Sequence, residues 1–184
     1  MTTPLRQPPS TLDSAEFTCV YGGVYEHSPW VAKAVWAARR GSALDSVEAL
    51  HAALKAVVEA ASDEAKLALI RAHPELASRA AIAKGLSAAS QDEQKGAGLD
   101  ACTPQEFAEF HALNGAYHDK FGFPFILAIK GMHRQAILAE FRRRLDNGRA
   151  REFAAAIGQI HRIAHFRLMA LAAPTAPSQE SDPS

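Results

Sequence analysis

Arg167 is the residue whose position in the sequence first suggests chemistry. It lies in a segment with apolar residues at helical spacing: Phe153, Ile157, Ile160, Ala164, Leu168 and Leu171. At about 100° per residue, Arg167 points only about 20° away from Ile160, so we expect it at the edge of the buried face. A buried guanidinium needs an anion, either the carboxylate of a ligand or an internal glutamate. Alternatively, its stem packs on the protein while its charged head reaches solvent.

His73 and Pro74 form a second candidate. They follow an apolar helical segment, and proline disfavours helical geometry in the residue before it, which predicts that the helix ends at His73. The ordinary pKa of histidine lies near neutrality and suits proton transfer. A simpler interpretation is a capping or exposed histidine, because a helix C-terminus stabilises a protonated imidazole. The residues alone favour this simpler interpretation.

A third candidate is the polar run Ser90, Gln91, Asp92, Glu93 and Gln94. Ser90 and Glu93 have the spacing of a capping box, which predicts a helix that begins at Ser90. The free N–H groups of such a helix start can bind an anion, and this would place Glu93 and Gln94 near a ligand. A carboxylate beside a basic group can act as a general acid or base. A cap that serves the helix alone explains the same residues without any ligand.

The histidines and cysteines do not form a recognisable metal motif. His111 and His118 are seven positions apart, no His-Glu-x-x-His sequence occurs, and the two cysteines are far apart. His161 and His165 form an isolated pair, at which a metal ion is an alternative to two exposed histidines. No glycine-rich phosphate loop or nucleophile elbow is present, so nucleotide binding and esterase chemistry have no support. The sequence therefore predicts no metal site and no nucleotide cofactor.

The composition describes an ordinary water-soluble chain. Of the 184 residues, 48% are hydrophobic and 22% are charged, and the formal net charge is zero. This balance gives no basic excess for nucleic acid, and no apolar run is long enough to cross a membrane. Residues 1–10 lack the apolar stretch of a secretory signal, and the two cysteines do not make a disulfide framework. We expect a cytoplasmic protein that binds neither nucleic acid nor membranes.

Helical spacing dominates the rest of the sequence, and strand-like alternation is nearly absent. One clear stripe consists of Val47, Leu50, Leu54, Val57 and Val58. We predict an all-α fold, a single-domain bundle of about seven to nine helices given typical helix lengths. The domain is expected over residues 11–172, between a flexible N-terminus (residues 1–10) and a disordered polar tail (residues 173–184).

Caps and helix breakers mark the predicted boundaries. The predicted starts are Asp13 with Glu16, Ser28 before Pro29, and Thr103 with Pro104 and Glu106. Helices are predicted over about residues 134–145 and 150–172, with Asn147-Gly148 as the stop between them. Two segments that are rich in small residues or interrupted by Gly and Pro are predicted not to be helical, residues 85–100 and 121–125.

Five segments of the sequence, taken in order, carry a family resemblance. They are residues 22–32 (GGVYEHSPWVA), 73–77 (HPELA), 86–100 (LSAASQDEQKGAGLD), 113–125 (LNGAYHDKFGFPF) and 160–168 (IHRIAHFRL). Together they resemble the 2-oxo-4-hydroxy-4-carboxy-5-ureidoimidazoline (OHCU) decarboxylase family, over residues 11–171. Each segment is weak alone, but all of them in order are specific. The sequence departs from residues common in the family at Ser78, Ala89 and His118.

The resemblance implies the decarboxylation of OHCU to (S)-allantoin in urate breakdown, by an all-helical enzyme without a metal or organic cofactor. His73 matches the family's catalytic histidine, and Glu93 matches the acid that assists it. Arg167 matches the arginine that holds the substrate. The implied substrate-binding residues also include Pro74, the run Ser90, Gln91, Asp92, Glu93 and Gln94, and a loop of Phe125, Ile126, Leu127, Ala128 and Ile129.

Two other functions have to be distinguished from this one. A helical binding module would hold a purine-like or ureide ligand without releasing carbon dioxide. A metal-dependent amidohydrolase acting on allantoin would contain stoichiometric metal and lose activity with a chelator. His73 and Glu93 together favour catalysis over binding alone. A small-molecule substrate is the expected partner, and the family suggests a homodimer, although no apolar stripe in the sequence identifies an interface.

Overall fold

Eight α-helices form most of the residues that this computed structural model describes, which are 2–39, 44–77 and 87–174. In chain order they are α1 (Ser14–Tyr21), α2 (Pro29–Ala38), α3 (Val47–Ala60), α4 (Asp63–Arg71), α5 (Ala88–Gly96), α6 (Pro104–Phe121), α7 (Arg134–Leu145) and α8 (Arg149–Ala170). These described ranges contain isolated β-bridges but no β-strand. The predicted all-α fold is confirmed, and the number of helices falls in the predicted range.

Most of the predicted caps begin helices as expected. At α1, the side chains of Asp13 and Glu16 form a capping box with each other's backbone. Thr103 and Glu106 form the same arrangement at α6. Pro29 occupies the first turn of α2, although the side chain of the preceding serine makes no capping hydrogen bond. Helix α7 has its predicted bounds, and α8 ends slightly before its predicted end.

Helix α5 corrects two predictions. The small residues of segment 85–100 predict no helix there, and the spacing of Ser90 and Glu93 predicts a helix start at Ser90; both predictions are wrong. The cap is Ser87, whose hydroxyl accepts a hydrogen bond from the N–H of Ser90 at 3.2 Å. Because Ala88 and Ala89 are strong helix formers, the helix starts earlier than the spacing of polar residues suggests. Ser90 therefore lies inside the first turn, where it is buried.

Helix α8 is the element against which much of the domain packs. It contacts α3, α4 and α6. Its buried face includes Ile160, Ala164 and Leu168, and Arg167 is only 8% exposed, as the helical spacing predicts. The predicted stripe of α3 is also buried, apart from the half-buried Val57. None of the helices described is both long enough and apolar enough to cross a membrane.

The N-terminal segment packs against the helical domain. Leu5 is 3% exposed and belongs to the hydrophobic core. The N–H of Arg6 donates to the carbonyl of Leu171 at 3.0 Å, which joins this segment to the end of α8. Leu5 and Arg6, in the segment expected to be flexible, thus contribute to the packing of the domain. Of the predicted polar tail, residues 175–184 lie outside the described residues.

The loop after α6 is irregular from Gly122 onward as predicted, whereas Phe121, also predicted to lie outside a helix, is the last residue of α6. Helix α6 ends at Phe121, and Gly122 adopts a left-handed backbone with φ of 75°, which terminates the helix. The ring of Phe125 then stacks on Phe141 of α7, with 3.8 Å between the ring centroids. This aromatic contact fixes the loop in the core.

A buried ion pair also holds this loop. Arg144 on α7 and Glu152 on α8 are 1% and 0% exposed, and Nε of Arg144 donates to Oε1 of Glu152 at 2.7 Å. The guanidinium of Arg144 also donates to the carbonyl of Ile126 in the loop. The hydroxyl of Tyr117 on α6 donates to Glu152 as well. One buried pair therefore connects α6, α7, α8 and the loop.

Replacing Glu152 with glutamine should destabilise the fold far more than breaking a surface pair. Glu152→Gln removes the charge that compensates the buried Arg144, so the free energy of unfolding should fall by about 3–5 kcal/mol. The control is Glu140→Gln, which breaks the exposed pair with Arg143 and should cost less than about 1 kcal/mol. Urea denaturation followed by circular dichroism measures both losses. Equal losses would contradict a structural role for the buried pair.

Candidate active site

Arg167 is the centre of a buried polar cluster. Its Nε lies 3.0 Å from Oε1 of Glu93, and its Nη2 lies 2.6 Å from Oε2 of Glu26. Nη2 also donates to the hydroxyl of Ser90 at 3.1 Å. Burial alone would lower the pKa of Arg167, but Glu93 and Glu26 outweigh burial and raise it. The guanidinium is therefore charged and paired with internal glutamates, which was one of the alternatives left open by the sequence.

Glu26 is a site residue that the sequence analysis missed. Its side chain is 1% exposed, and Oε2 accepts a hydrogen bond from the hydroxyl of Ser90 at 2.9 Å in addition to its contact with Arg167. Burial would raise the pKa of Glu26, but Arg167 and neighbouring serine hydroxyls lower it overall. Its other oxygen, Oε1, accepts no hydrogen bond from a described residue. The only sign of such a glutamate in the sequence is indirect, because a buried Arg167 needs an anionic partner.

His73 lies just after α4 and is 7% exposed. Its Nδ1 is 3.0 Å from the carbonyl oxygen of Leu69, which only accepts hydrogen bonds, so Nδ1 carries the proton and Nε2 has the free lone pair. Burial lowers the pKa of His73 to about 4, and the charge of Arg167 lowers it too, although the hydrogen bond to Leu69 and the charge of Glu26 oppose this. At neutral pH His73 is therefore a neutral imidazole, and it is buried rather than exposed, although its Nδ1 also caps a carbonyl in the last turn of α4.

Helix α5 presents two of its predicted site residues to Arg167. Ser90 and Glu93 are three positions apart and share one face of the helix, which is why both can reach the same guanidinium. Gln91 and Asp92, between them, are exposed. The structure thus brings Ser90 and Glu93 into the cluster, while substrate contacts of Gln91 and Asp92 stay predictions.

Two strained backbone positions border the cluster. Ala77 and His27 have φ angles of 51° and 48°, in the left-handed region that non-glycine residues rarely adopt. The N–H of Ala77 donates to the side chain of Gln94 at 3.1 Å, which connects α5 to the segment after the half-buried Pro74. His27 directly follows Glu26. Such strain persists only where the surroundings impose it, and it is common at functional sites.

The loop residues that the family resemblance assigns to substrate binding are buried: Phe125, Ile126, Leu127, Ala128 and Ile129. The carbonyl of Ile126 accepts a hydrogen bond from Arg144 of α7, and the N–H of Ala128 donates to Gln159 of α8 at 3.0 Å. None of the hydrogen bonds described for this loop reaches Arg167 or His73. Its main-chain contact with a substrate stays a prediction.

The described part of the chain offers no metal cluster. In these ranges, no three His, Cys, Asp or Glu side chains are grouped so that they can hold a metal ion. At the pair of His161 and His165, both ring nitrogens of His161 already have protein partners. Nδ1 lies 2.7 Å from the hydroxyl of Tyr25, and Nε2 lies 3.0 Å from Oε1 of Glu59. His161 therefore belongs to a hydrogen-bond network.

Of the departures from common family residues, Ala89 directly precedes Ser90 of the Arg167 cluster, whereas His118 lies on another helix. Ala89 is half-buried on α5, and His118 is exposed on α6. Neither side chain takes part in the hydrogen bonds described around Arg167 and His73. Ser78 lies outside the described residues.

The fold and the site define the class of the protein. The described residues form an all-α fold that contains a buried guanidinium, two carboxylates that contact it, and a neutral imidazole. Residues 10–169 match the family model described as OHCU decarboxylase. The chain therefore belongs to the OHCU decarboxylase family.

Similar proteins agree with this assignment. The chain is 40% identical over 162 residues to the OHCU decarboxylase of Haloferax volcanii, covering 88% of this chain and 92% of that protein. It is 41% identical to the uric acid degradation bifunctional protein PucL of Bacillus subtilis, covering 85% of this chain and 30% of that protein. A crystal structure of (S)-allantoin synthase matches with a TM-score of 0.71 and 35% identity, over 87% of this chain and 50% of that chain. A crystal structure of OHCU decarboxylase in the presence of (S)-allantoin matches with a TM-score of 0.63 and 19% identity, over 87% of this chain and 98% of that chain. At this low identity the match supports the fold alone.

Proposed function

We propose that this chain catalyses the decarboxylation of OHCU to (S)-allantoin in urate degradation, with His73, Glu93 and Arg167 as its reacting site. The names of its relatives support the reaction. The observation that carries the site is the neutral imidazole beside a buried guanidinium, close enough for the charge of Arg167 to lower the pKa of His73. We place the substrate carboxylate on Arg167 and the reacting carbon within reach of Nε2 of His73.

The charge of the cluster decides how a substrate carboxylate can bind. Among the residues that the structure describes, one guanidinium, Arg167, contacts the two carboxylates of Glu26 and Glu93, so the summed charge of these three groups is negative before substrate arrives. A further carboxylate is repelled unless one glutamate leaves Arg167. Glu26 is 1% exposed and 2.6 Å from the guanidinium, whereas Glu93 is 24% exposed and 3.0 Å away. Glu93 is therefore the glutamate that leaves Arg167 when substrate binds, and the substrate carboxylate replaces it in the ion pair.

The chemistry follows from the groups on the substrate, which carries a hydroxyl and a carboxylate on one ring carbon. The bond to the carboxylate breaks, carbon dioxide leaves, and the electron pair moves into the neighbouring ring imine, whose nitrogen takes a proton from solvent. The hydroxyl proton passes to Nε2 of His73 as the hydroxyl becomes a carbonyl. The imidazolium then delivers this proton to the adjacent ring carbon. Delivery from one side sets the stereochemistry of the product.

Displacement from Arg167 gives Glu93 its second role. An imidazolium is costly in a buried position, and burial is the main reason that the pKa of His73 is low. A carboxylate released from Arg167 into this region offsets that cost by stabilising the positive charge on His73. Glu93 therefore holds the guanidinium in the free enzyme and supports the proton transfer in the complex.

Circular dichroism during urate oxidation tests this function. With uricase and hydroxyisourate hydrolase present, the wild-type chain should speed the appearance of (S)-allantoin over the spontaneous racemic reaction. His73→Asn keeps a donor for the carbonyl of Leu69 but has no basic ring nitrogen, so it should lower the rate about 100-fold or more. His111→Asn, on the exposed surface of α6, is the matched control and should retain the full rate.

Three results would count against the proposal. Full stereospecific turnover by His73→Asn would rule out the assigned role of His73. No acceleration by the wild-type chain would favour a binding module. Activity that is lost with a chelator and restored only by added metal would favour a metal-dependent amidohydrolase.

Glu93→Gln should separate substrate binding from turnover. Because an amide competes less well than a carboxylate for Arg167, KM should stay equal or fall. The value of kcat should fall about tenfold or more, since the imidazolium loses its counter-charge. Glu64→Gln, which changes an exposed carboxylate on α4, should leave both constants unchanged. Steady-state kinetics followed by dichroism measures them, and a large rise in KM at constant kcat would contradict the exchange of Glu93 for substrate.

A further inference from the structure

A second concave region lies between α3 and α8 and shares no lining residue with the Arg167 cluster. Its volume is about 670 Å³. Cavities that bind small molecules in proteins usually measure about 300–1,000 Å³, so this groove has the size of a ligand site. Its apolar surface comes from side chains of α8: Phe153, Ile157 and Phe166. Two of these are aromatic, which suits a flat ring system.

The charged groups that line the groove are mostly positive. Among the described residues that line it, Lys55, Lys66 and Arg162 are positive and Glu59 is the one carboxylate. That carboxylate already accepts a hydrogen bond from Nε2 of His161 at 3.0 Å. Arg162 is exposed, and its side chain makes no hydrogen bond or ion pair with another described residue. Cationic groups are therefore available to an anion in the groove.

One wall of the groove contains polar side chains that hydrogen-bond to each other, and the central one, His161, is buried. His161 is 5% exposed, and because Nε2 donates to Glu59, Nδ1 accepts the hydroxyl proton of Tyr25 at 2.7 Å. Nε2 of His51 donates to the backbone carbonyl of His161 at 2.9 Å, and the ring of His51 lies against that of His165. These contacts fix the shape of the wall without a ligand, which lowers the entropic cost of binding one.

Gly158 lies in the middle of α8 and lines the groove. A glycine inside a helix is unfavourable compared with alanine, so its position needs an explanation. A Cβ atom added at Gly158 would meet nothing within 4 Å. The absence of a side chain therefore keeps the groove open, where almost any larger residue would fill part of it.

We propose that this groove binds a planar organic anion, an aromatic or heteroaromatic carboxylate of about two fused rings. The rings would lie on Phe153, Phe166 and the backbone at Gly158, and the carboxylate would pair with Arg162 and Lys55. The proposal does not depend on the decarboxylase activity, because none of these residues belongs to the Arg167 cluster.

Calorimetric titration of the full chain with 2-naphthoate tests the proposal. This probe is a two-ring aromatic carboxylate, and 2-naphthamide is its control, with the same rings and no charge. Wild-type protein should bind one 2-naphthoate per chain in a saturable manner. It should bind 2-naphthamide about tenfold or more weakly, as expected for the loss of a charge-assisted hydrogen bond.

Substitutions at Gly158, Lys55 and Arg162 test whether 2-naphthoate binds in the groove. Gly158→Leu fills the groove and should abolish 2-naphthoate binding, whereas Gly158→Ala is the matched control and should retain it. Lys55→Gln combined with Arg162→Gln should weaken 2-naphthoate binding about tenfold and leave 2-naphthamide unchanged. All variants should keep the far-ultraviolet dichroism and the decarboxylase rate of the wild type. The dichroism shows folding even if the chain proves to lack decarboxylase activity, so the two proposals fail separately.

Several outcomes would overturn the proposal. They are the absence of saturable 2-naphthoate binding, equal binding of the two compounds, and unchanged binding by Gly158→Leu. Sedimentation equilibrium, which measures self-association, provides a further outcome that would overturn the proposal. If the wild type self-associates, Gly158→Leu does not, and no 2-naphthoate binds, then the groove is an interface between copies of this chain.

Discussion

A buried positive charge on α8 is the constraint on which the site depends. Arg167 cannot be left unpaired in the interior, and the residues that neutralise it come from distant parts of the chain. Glu26 precedes α2, whereas Ser90 and Glu93 belong to α5. One guanidinium therefore determines how three segments meet. The same charge, together with burial, keeps His73 neutral, so the electrostatics of the whole site depend on this side chain.

The two arginines that are buried in the described part of the chain have ion pairs of different exposure. Arg144 and Glu152 have side chains 2% and 0% exposed, and their partners belong to three helices and a loop. The partner of Arg167 on α5 is different, because Glu93 is 24% exposed. An ion pair whose two side chains are both fully buried has no access to a ligand, so it can only stabilise the fold. A pair with one exposed partner can exchange that partner for a ligand.

Local signals in the sequence predicted most of the helices and the burial of Arg167. Capping boxes, proline at helix starts and apolar spacing act over a few residues, so they can be read without knowledge of the fold. The start of α5 was misplaced because Ser87 and Ser90 are both suitable caps, and two alanines decide between them. Glu26 was missed because its role comes from a contact with Arg167 far along the chain. The groove could not be predicted, since it needs α3 and α8 side by side.

The protonation state of His73 tests the central claim most directly, which is that a neutral imidazole with a free Nε2 works beside Arg167. Nitrogen-15 NMR reports the tautomer and the pKa together, and the spectrum of His73→Asn identifies the signal. We expect the proton on Nδ1 and a pKa of about 4, so the ring should stay neutral throughout the neutral pH range. A proton on Nε2, or a pKa near the usual 6.5, would contradict the account.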